Sequence, residues 1–232
     1  MTEDPVVVRA TGAAEPGHGI RVEVGAFGPW QTNAYLVWDG RSTEALVVDP
    51  GMGAAAGLVA RSAELGLRIH LIANSHGHID HVFDNAALKR ASGAPLAIHP
   101  DDAYRLTGEN IHGFEIEASH ADQDLGEGDV LAIGALRFRV MHLPGHTEGS
   151  VCLHEADSGL LLSGDVLFRG SYGRTDLPGG DEEQMVDSLS RLHREIPSEV
   201  RVLPGHGPET TVAREAGWLE RVASAGRLVI PG

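Results

Sequence analysis

Cysteine is almost missing from this chain: Cys152 is the only one in 232 residues, which excludes an internal disulfide framework. It stands in the strand-like run Ser150-Val151-Cys152-Leu153, a setting that suits a buried structural thiol better than a nucleophile. Lysine is equally scarce, and the sole Lys89 has no evident role. Cations are outnumbered, with 18 Lys plus Arg against 33 Asp plus Glu and a formal net charge of -15. That balance opposes binding to a polyphosphate backbone through a broad basic face. No apolar run approaches the roughly 20 residues that cross a membrane, and no basic, apolar leader precedes the acidic opening Met1-Thr2-Glu3-Asp4-Pro5. The expectation is a soluble cytoplasmic protein with neither nucleic acid nor membrane as a partner. Nothing in the chain specifies an oligomeric state.

What is present fits a loop-rich α/β protein: 42% hydrophobic residues with 30 glycines and 12 prolines. Residues 1–19 lack a sustained apolar period and are expected to form a loose segment, with residues 20–232 as a single domain large enough for its own core. Strands are expected over Ile20–Ala26, Thr32–Trp38, Ala45–Val48, Arg68–Ala73 and Leu96–Ile98, with helices over Ala54–Leu65 and Val82–Ala91 between them. Beyond a short helix at Asp101–Leu106, residues 100–128 read as a long loop over a site. Four further strands (Val130–Ile133, Leu136–His142, Ser150–His154, Leu160–Leu162), a helix (Glu182–Glu195), a strand (Val200–Leu203) and a last helix (Thr211–Ser224) complete the pattern.

The chemistry concentrates in Ser75-His76-Gly77-His78-Ile79-Asp80-His81, which follows the buried strand ending at Ala73. Side chains two apart share a face in extended chain but diverge on a helix, so His76 and His78 can grip one ion. A helix starting near Asp80 turns Asp80 and His81 toward a second point. The plainer alternative is a surface loop in which Asp80 caps that helix. Two echoed turns, Leu143-Pro144-Gly145-His146 and Leu203-Pro204-Gly205-His206, and the strand end Leu161-Leu162-Ser163-Gly164-Asp165 each present a donor where a strand leaves its sheet. Zinc favours imidazole nitrogen and carboxylate oxygen. The residues are therefore assigned as His76, His78 and His146 to one ion, Asp80, His81 and His206 to another, and Asp165 as the bridge. His70, His142, His154, His18, His99, His112, His120 and His193 read as packed or solvated side chains, with His142 and His112 the nearest to the site in sequence.

His76-x-His78-x-Asp80-His81 followed by His146, Asp165 and His206 resembles the metallo-β-lactamase superfamily. The resemblance implies a four-layer αβ/βα sandwich with a two-metal site at its edge. Within it, Gly164 through Asp176 is similar to the glyoxalase II-like hydrolases and, over Arg169-Gly170-Ser171-Tyr172-Gly173-Arg174-Thr175-Asp176, to the persulfide dioxygenases; Pro204-Gly205-His206-Gly207-Pro208 favours the short glyoxalase II-like group.

The expected activity is hydrolysis of a thioester resembling S-lactoylglutathione by hydroxide generated on two zinc ions, with iron or manganese as other occupants. Asp80 would be catalytic, orienting the hydroxide or taking its proton. The substrate would be a small anionic thioester. The resemblance places Arg174, with Arg169 and Tyr172 nearby, against its carboxylate; for Arg174 the alternative is a structural pair with Asp176. Full-length glyoxalase II enzymes carry a further helical domain, for which this chain has no room after His206, so coenzyme A or carrier-protein thioesters and lactones stay open. A competing class is the mononuclear Fe(II) persulfide dioxygenase, held by His76, His146 and Asp165.

Overall fold

The computed structural model describes residues 9–10, 19–108, 110–111 and 113–229. In chain order the elements are β1 (Arg9–Ala10), β2 (Arg21–Phe27), β3 (Thr32–Trp38), β4 (Glu44–Val48), α1 (Ala54–Glu64), β5 (Arg68–Ala73), α2 (Ile79–Val82), α3 (Asn85–Ser92) and β6 (Leu96–Ile98). A 3₁₀ helix (Pro100–Leu106), β7 (Asn110–Ile111), β8 (Phe114–Glu115), β9 (Gln123–Asp124), β10 (Val130–Ile133), β11 (Leu136–His142), β12 (Val151–Glu155) and β13 (Leu160–Gly164) follow. The chain closes with α4 (Glu182–Glu195), β14 (Arg201–Pro204), β15 (Thr210–Thr211) and α5 (Val212–Ala225).

One sheet has the order β1-β2-β3-β4-β5-β6-β9 and the other β10-β11-β12-β13-β14-β15. Strand periodicity explains how they stack. In β3, Tyr35 and Val37 point into a core shared with Phe138, Val140 and Leu153 of the second sheet, while Ala34 and Leu36 point the other way, against Leu58 of α1 and Leu88 of α3. Both faces are buried, so the strand reads as a continuous apolar run. In β11, Leu136, Phe138 and Val140 face the shared core. Met141, on the opposite face, packs with Met185 and Leu189 of α4 and with Leu219 of α5. Arg137 and Arg139 on that same outer face are exposed, which marks where the helical layer stops. The result is helix, sheet, sheet, helix: the four-layer αβ/βα sandwich of the metallo-β-lactamase fold.

The helix expected over Val82–Ala91 is divided in two. Asp84 leaves helical geometry (φ -95°, ψ 10°), its N–H donating to Pro50 O (3.0 Å) and its Oδ2 capping α1 by accepting from Ala55 N (2.8 Å). A tertiary contact thus overrides a continuous helical pattern. The segment 100–128 is not one long loop. Ile116 packs into the outer core beside α3, Lys89 Nζ on α3 donates to His120 O (2.7 Å), and β9 pairs in parallel with β6. Most of the segment therefore closes the sheet edge. The loose segment expected over residues 1–19 lies outside the described residues except for Gly19 and for Arg9 and Ala10, which pair with Val24 and Glu23. Among the described residues no helix is long and apolar enough to cross a membrane.

Strands β4 and β5 run parallel, as do β13 and β14, so each pair delivers its carboxyl ends to one edge. The edges meet: Thr32 bridges to His206, Asn33 N donates to Gly205 O (2.8 Å) and Val151 N to Ser75 O (2.8 Å). Truncating Phe138, which is fully buried between the sheets, to alanine is expected to cost about 3–5 kcal/mol. Equilibrium denaturation of the Phe138→Ala protein checks this.

Candidate metal centre

The seven residues singled out as metal-binding come together at that edge from four places in the chain. His76, His78 and His146 form one cluster and Asp80, His81 and His206 another, each with its ligand-type atoms within 4.8 Å of one another. In the first, His76 Nε2 lies 3.1 Å from His78 Nδ1, which lies 2.8 Å from His146 Nε2. In the second, His81 Nε2 and His206 Nε2 are 3.3 Å apart, and Asp80 Oδ2 is 3.4 Å from the former and 3.1 Å from the latter. Donors about 2.0–2.1 Å from a tetrahedral ion stand about 3.3 Å from each other, so both spacings match one face of a coordination sphere. Asp165 lies between: its Oδ2 is 3.4 Å from His146 Nε2 and 3.5 Å from His206 Nε2, and its Oδ1 is 3.4 Å from His81 Nε2.

Two further observations fit these donors to cations. Asp165 Oδ1 is buried and accepts no hydrogen bond, an arrangement that is costly unless an ion takes up the lone pairs. The electrostatics of the two clusters also differ in a consistent way. Burial, reinforced by neighbouring imidazoles, pushes His76 down and His78 down to about 3, and burial lowers His146 as well. These rings stay neutral with free lone pairs. Burial also opposes charge on His81, but Asp80, Asp165 and Asp49 outweigh it and raise His81 to about 10. The carboxylates of the second cluster thus favour positive charge at this point, which a cation would also supply.

Four of the five imidazoles are aimed by an acceptor on the nitrogen turned away from the centre. His146 Nδ1 donates to Arg174 O (2.7 Å) and His206 Nδ1 to Trp30 O (3.1 Å). Asp49 serves two rings: His81 Nδ1 donates to its Oδ2 (3.0 Å), and His76 Nδ1 donates to Ser75 Oγ (3.1 Å), which itself donates to Asp49 Oδ2 (2.6 Å). Such outer partners fix tautomer and ring plane. Thr32 Oγ1 donates to Asp80 Oδ2 (2.8 Å), and Asn33 Nδ2 donates to Pro204 O and Gly207 O (both 2.9 Å), spanning the turn that carries His206. Two glycines are required by close approach. A Cβ on Gly205 would stand 2.1 Å from Asp165 Oδ1, and one on Gly173 would stand 2.8 Å from His146 Nδ1.

The residues expected to hold substrate are placed differently. Arg174 forms an exposed two-point pair with Asp176 (Nε–Oδ1 2.7 Å, Nη2–Oδ2 2.8 Å), and only its carbonyl reaches the centre. Tyr172 packs its ring on Trp218 (5.9 Å between centroids), and Arg169 is exposed in the turn closed by Phe168 and Ser171. Asp49, Ser75, Thr32 and Asn33 were missed by sequence reasoning. Asp49 carries a usable signal, since Ala45-Leu46-Val47-Val48-Asp49 ends an apolar strand on a carboxylate just as the run to Asp165 does. His99 and His142, with Asp101, form another group of metal-ligand types. Their rings stack 3.9 Å apart at 15°, so their in-plane lone pairs run side by side instead of converging. This is a packing contact, with His142 Nε2 donating to Glu148 O (2.8 Å). His112 lies outside the described residues.

Two stacked sheets, helices outside and this donor set at the shared edge define the fold class, and a family model agrees: residues 27–206 match the metallo-beta-lactamase superfamily. The chain belongs to that superfamily and is a metal-binding hydrolase of it. It is similar to the hydroxyacylglutathione hydrolase GloC of Haemophilus influenzae, 32% identical over 207 residues, covering 84% of this chain and 95% of that protein. Among solved structures it resembles TTHA1623 in a di-iron-bound form (39% identity, TM-score 0.74, 82% of this chain and 95% of that one). It also resembles ETHE1 from Myxococcus xanthus (27% identity, TM-score 0.72, 94% and 85%).

The opposed shifts predict a stability maximum for the metal-free protein. Unfolded imidazoles titrate near 6.5. As pH falls from about 6.5 toward 3, the unfolded state binds protons that folded His76, His78 and His146 refuse, so stability falls. As pH rises from 6.5 toward 10, the folded state keeps the His81 proton that the unfolded state loses, so stability falls again. Chemical denaturation of chelator-treated protein across this range checks both limbs, and His78→Ala is expected to flatten the acid limb.

Proposed function

We propose that this protein hydrolyses a small anionic thioester of the S-lactoylglutathione kind at a dinuclear centre, with zinc as the metal. His76, His78 and His146 would hold one ion, Asp80, His81 and His206 the other, and Asp165 both. The observation that carries this is the second cluster: Asp80, His81 and His206 stand within 3.1–3.4 Å of one another, a complete donor set that a mononuclear site would not need. Similarity to GloC over nearly the whole of both chains supports the thioester, and the di-iron form of TTHA1623 supports two ions while leaving iron as an alternative occupant.

When bound, the ions would supply Lewis acidity toward the thioester carbonyl and a water acidified toward neutrality. The chain supplies position. Asp80 is half-buried, which favours its neutral form, but His81 and His206 hold its pKa well below the usual carboxylate range. It remains an ionised acceptor pinned by Thr32, suited to orienting a water O–H rather than storing a proton. Arg174 can meet a substrate carboxylate only by exchanging it for Asp176. Both partners are exposed (61% and 68% of side-chain area), and an exposed pair of this kind opens at little cost.

His76→Ala and Asp165→Ala are expected to lose bound metal and to lower turnover of S-lactoylglutathione by more than about 100-fold, because even outer-sphere changes at such sites cost 10–100-fold. Metal analysis with a panel of glutathione and coenzyme A thioesters and a lactone measures this. Undiminished hydrolysis in either variant defeats the mechanism. A single bound iron with oxygen uptake on glutathione persulfide would replace it by the dioxygenase of the resemblance.

A further inference from the structure

Asp102 is a carboxylate with no exposure at all, set on the first turn of the 3₁₀ helix and remote in sequence from every donor in the centre. Its Oδ2 accepts from Gly77 N (2.7 Å) and Thr147 Oγ1 (2.7 Å), and its Oδ1 accepts from Gly149 N (3.0 Å). Gly77 is the residue between His76 and His78, and Thr147 and Gly149 lie one and three residues after His146. One carboxyl group therefore ties together the two loops that carry the first cluster. Among the described residues, its hydrogen bonds and ion pair go to Gly77, Thr147, Gly149 and Arg105, and to no residue of the second cluster.

The surroundings are shaped to let it approach. A Cβ on Gly149 would stand 2.8 Å from the Asp102 Cβ and Cγ, and one on Gly77 would stand 3.0 Å from Asp102 O and 2.6 Å from Arg105 Cδ. Thr147 is further fixed by Ser150 Oγ, which accepts from its N–H (3.1 Å) and exchanges a hydrogen bond with its Oγ1 (2.8 Å). Arg105 Nε, 3.4 Å from Asp102 Oδ1, compensates the buried charge without taking a proper hydrogen bond. An apolar contact would hold these loops together loosely. Three charge-assisted hydrogen bonds fix their relative register.

We propose that Asp102 is a positioning residue that sets the spacing between the His76–His78 pair and His146, and so governs affinity for the first ion and not the second. This rests on reading those three histidines as ligands of one ion. Asp102→Asn retains one acceptor oxygen and puts an NH2 against an N–H or the Arg105 guanidinium, so part of the tie is lost. Thr147→Val removes one hydrogen bond of the tie with little change of shape, and Thr147→Ser keeps it.

Chelator-stripped proteins would be titrated with Zn2+ against a chromophoric competitor, with circular dichroism as the check on folding. Asp102→Asn and Thr147→Val are expected to weaken one equivalent about 10–100-fold and leave the other unchanged, with Thr147→Ser like the parent. In a His206→Ala background the remaining ion should feel the Asp102 change; in a His78→Ala background it should not. Equal weakening of both ions, or of neither, in folded Thr147→Val protein overturns the proposal. A parent protein that takes up only one ion refutes the dinuclear reading instead, and Asp102 is then judged on whether that ion weakens.

Discussion

The Asp165 carboxylate reaches within 3.4–3.5 Å of His81, His146 and His206 while its buried Oδ1 accepts no hydrogen bond. Burying such a group without a partner is expensive, and the surrounding architecture is what holds it there. Asp165 follows β13, whose parallel neighbour β14 leads into the His206 turn through Gly205 N donating to Gly164 O (2.8 Å). The His76–His81 loop follows β5 of the other sheet. The carboxylate can touch both clusters only because the two sheets are stacked with these ends at one edge, over a shared core of Tyr35, Val37, Phe138, Val140 and Leu153. The core therefore serves the site by fixing where two independent sheets end, and the glycines at 173 and 205 remove the Cβ atoms that would keep the parts from closing.

Around this joint the donors are rigid for a second reason. Acceptors that aim the imidazoles come from separate elements: the Asp49–Ser75 relay at the ends of β4 and β5, the Arg174 carbonyl after β13, and the Trp30 carbonyl before β3. Asp49 even adopts φ of 53°, an uncommon conformation for a residue other than glycine, while its carboxylate serves Ser75 and His81 together. A site built this way is preorganised: its rings are oriented before any ion or substrate arrives, and less free energy is lost in arranging them.

Much of the fold was legible locally. Continuous apolar runs placed β3, β5 and β6 at their observed limits and alternation placed β10 and β11, and the 14 residues of α4 are those expected. The helix after the histidine loop departs from its local pattern because Asp84 answers to Pro50 and Ala55 instead of its own neighbours. Segment 100–128 reads as a loop because weak local pattern hides an edge strand of two residues and a buried carboxylate on a 3₁₀ turn.

By itself, the sequence determined the element order, the continuous apolar runs that cover both faces of strands such as β3, and the positions where strands end on histidine or aspartate. Those are short-period properties, written in neighbouring residues. Only the tertiary structure decided which acceptor aims each ring, that Asp49 serves His76 and His81 at once, and that Asp102 joins two loops. The contacts responsible span 25 to 176 positions, from Gly77–Asp102 to His206–Trp30, and several use backbone carbonyls. Every residue carries such an oxygen, so no side chain marks the one that matters; only the approach of distant elements selects it.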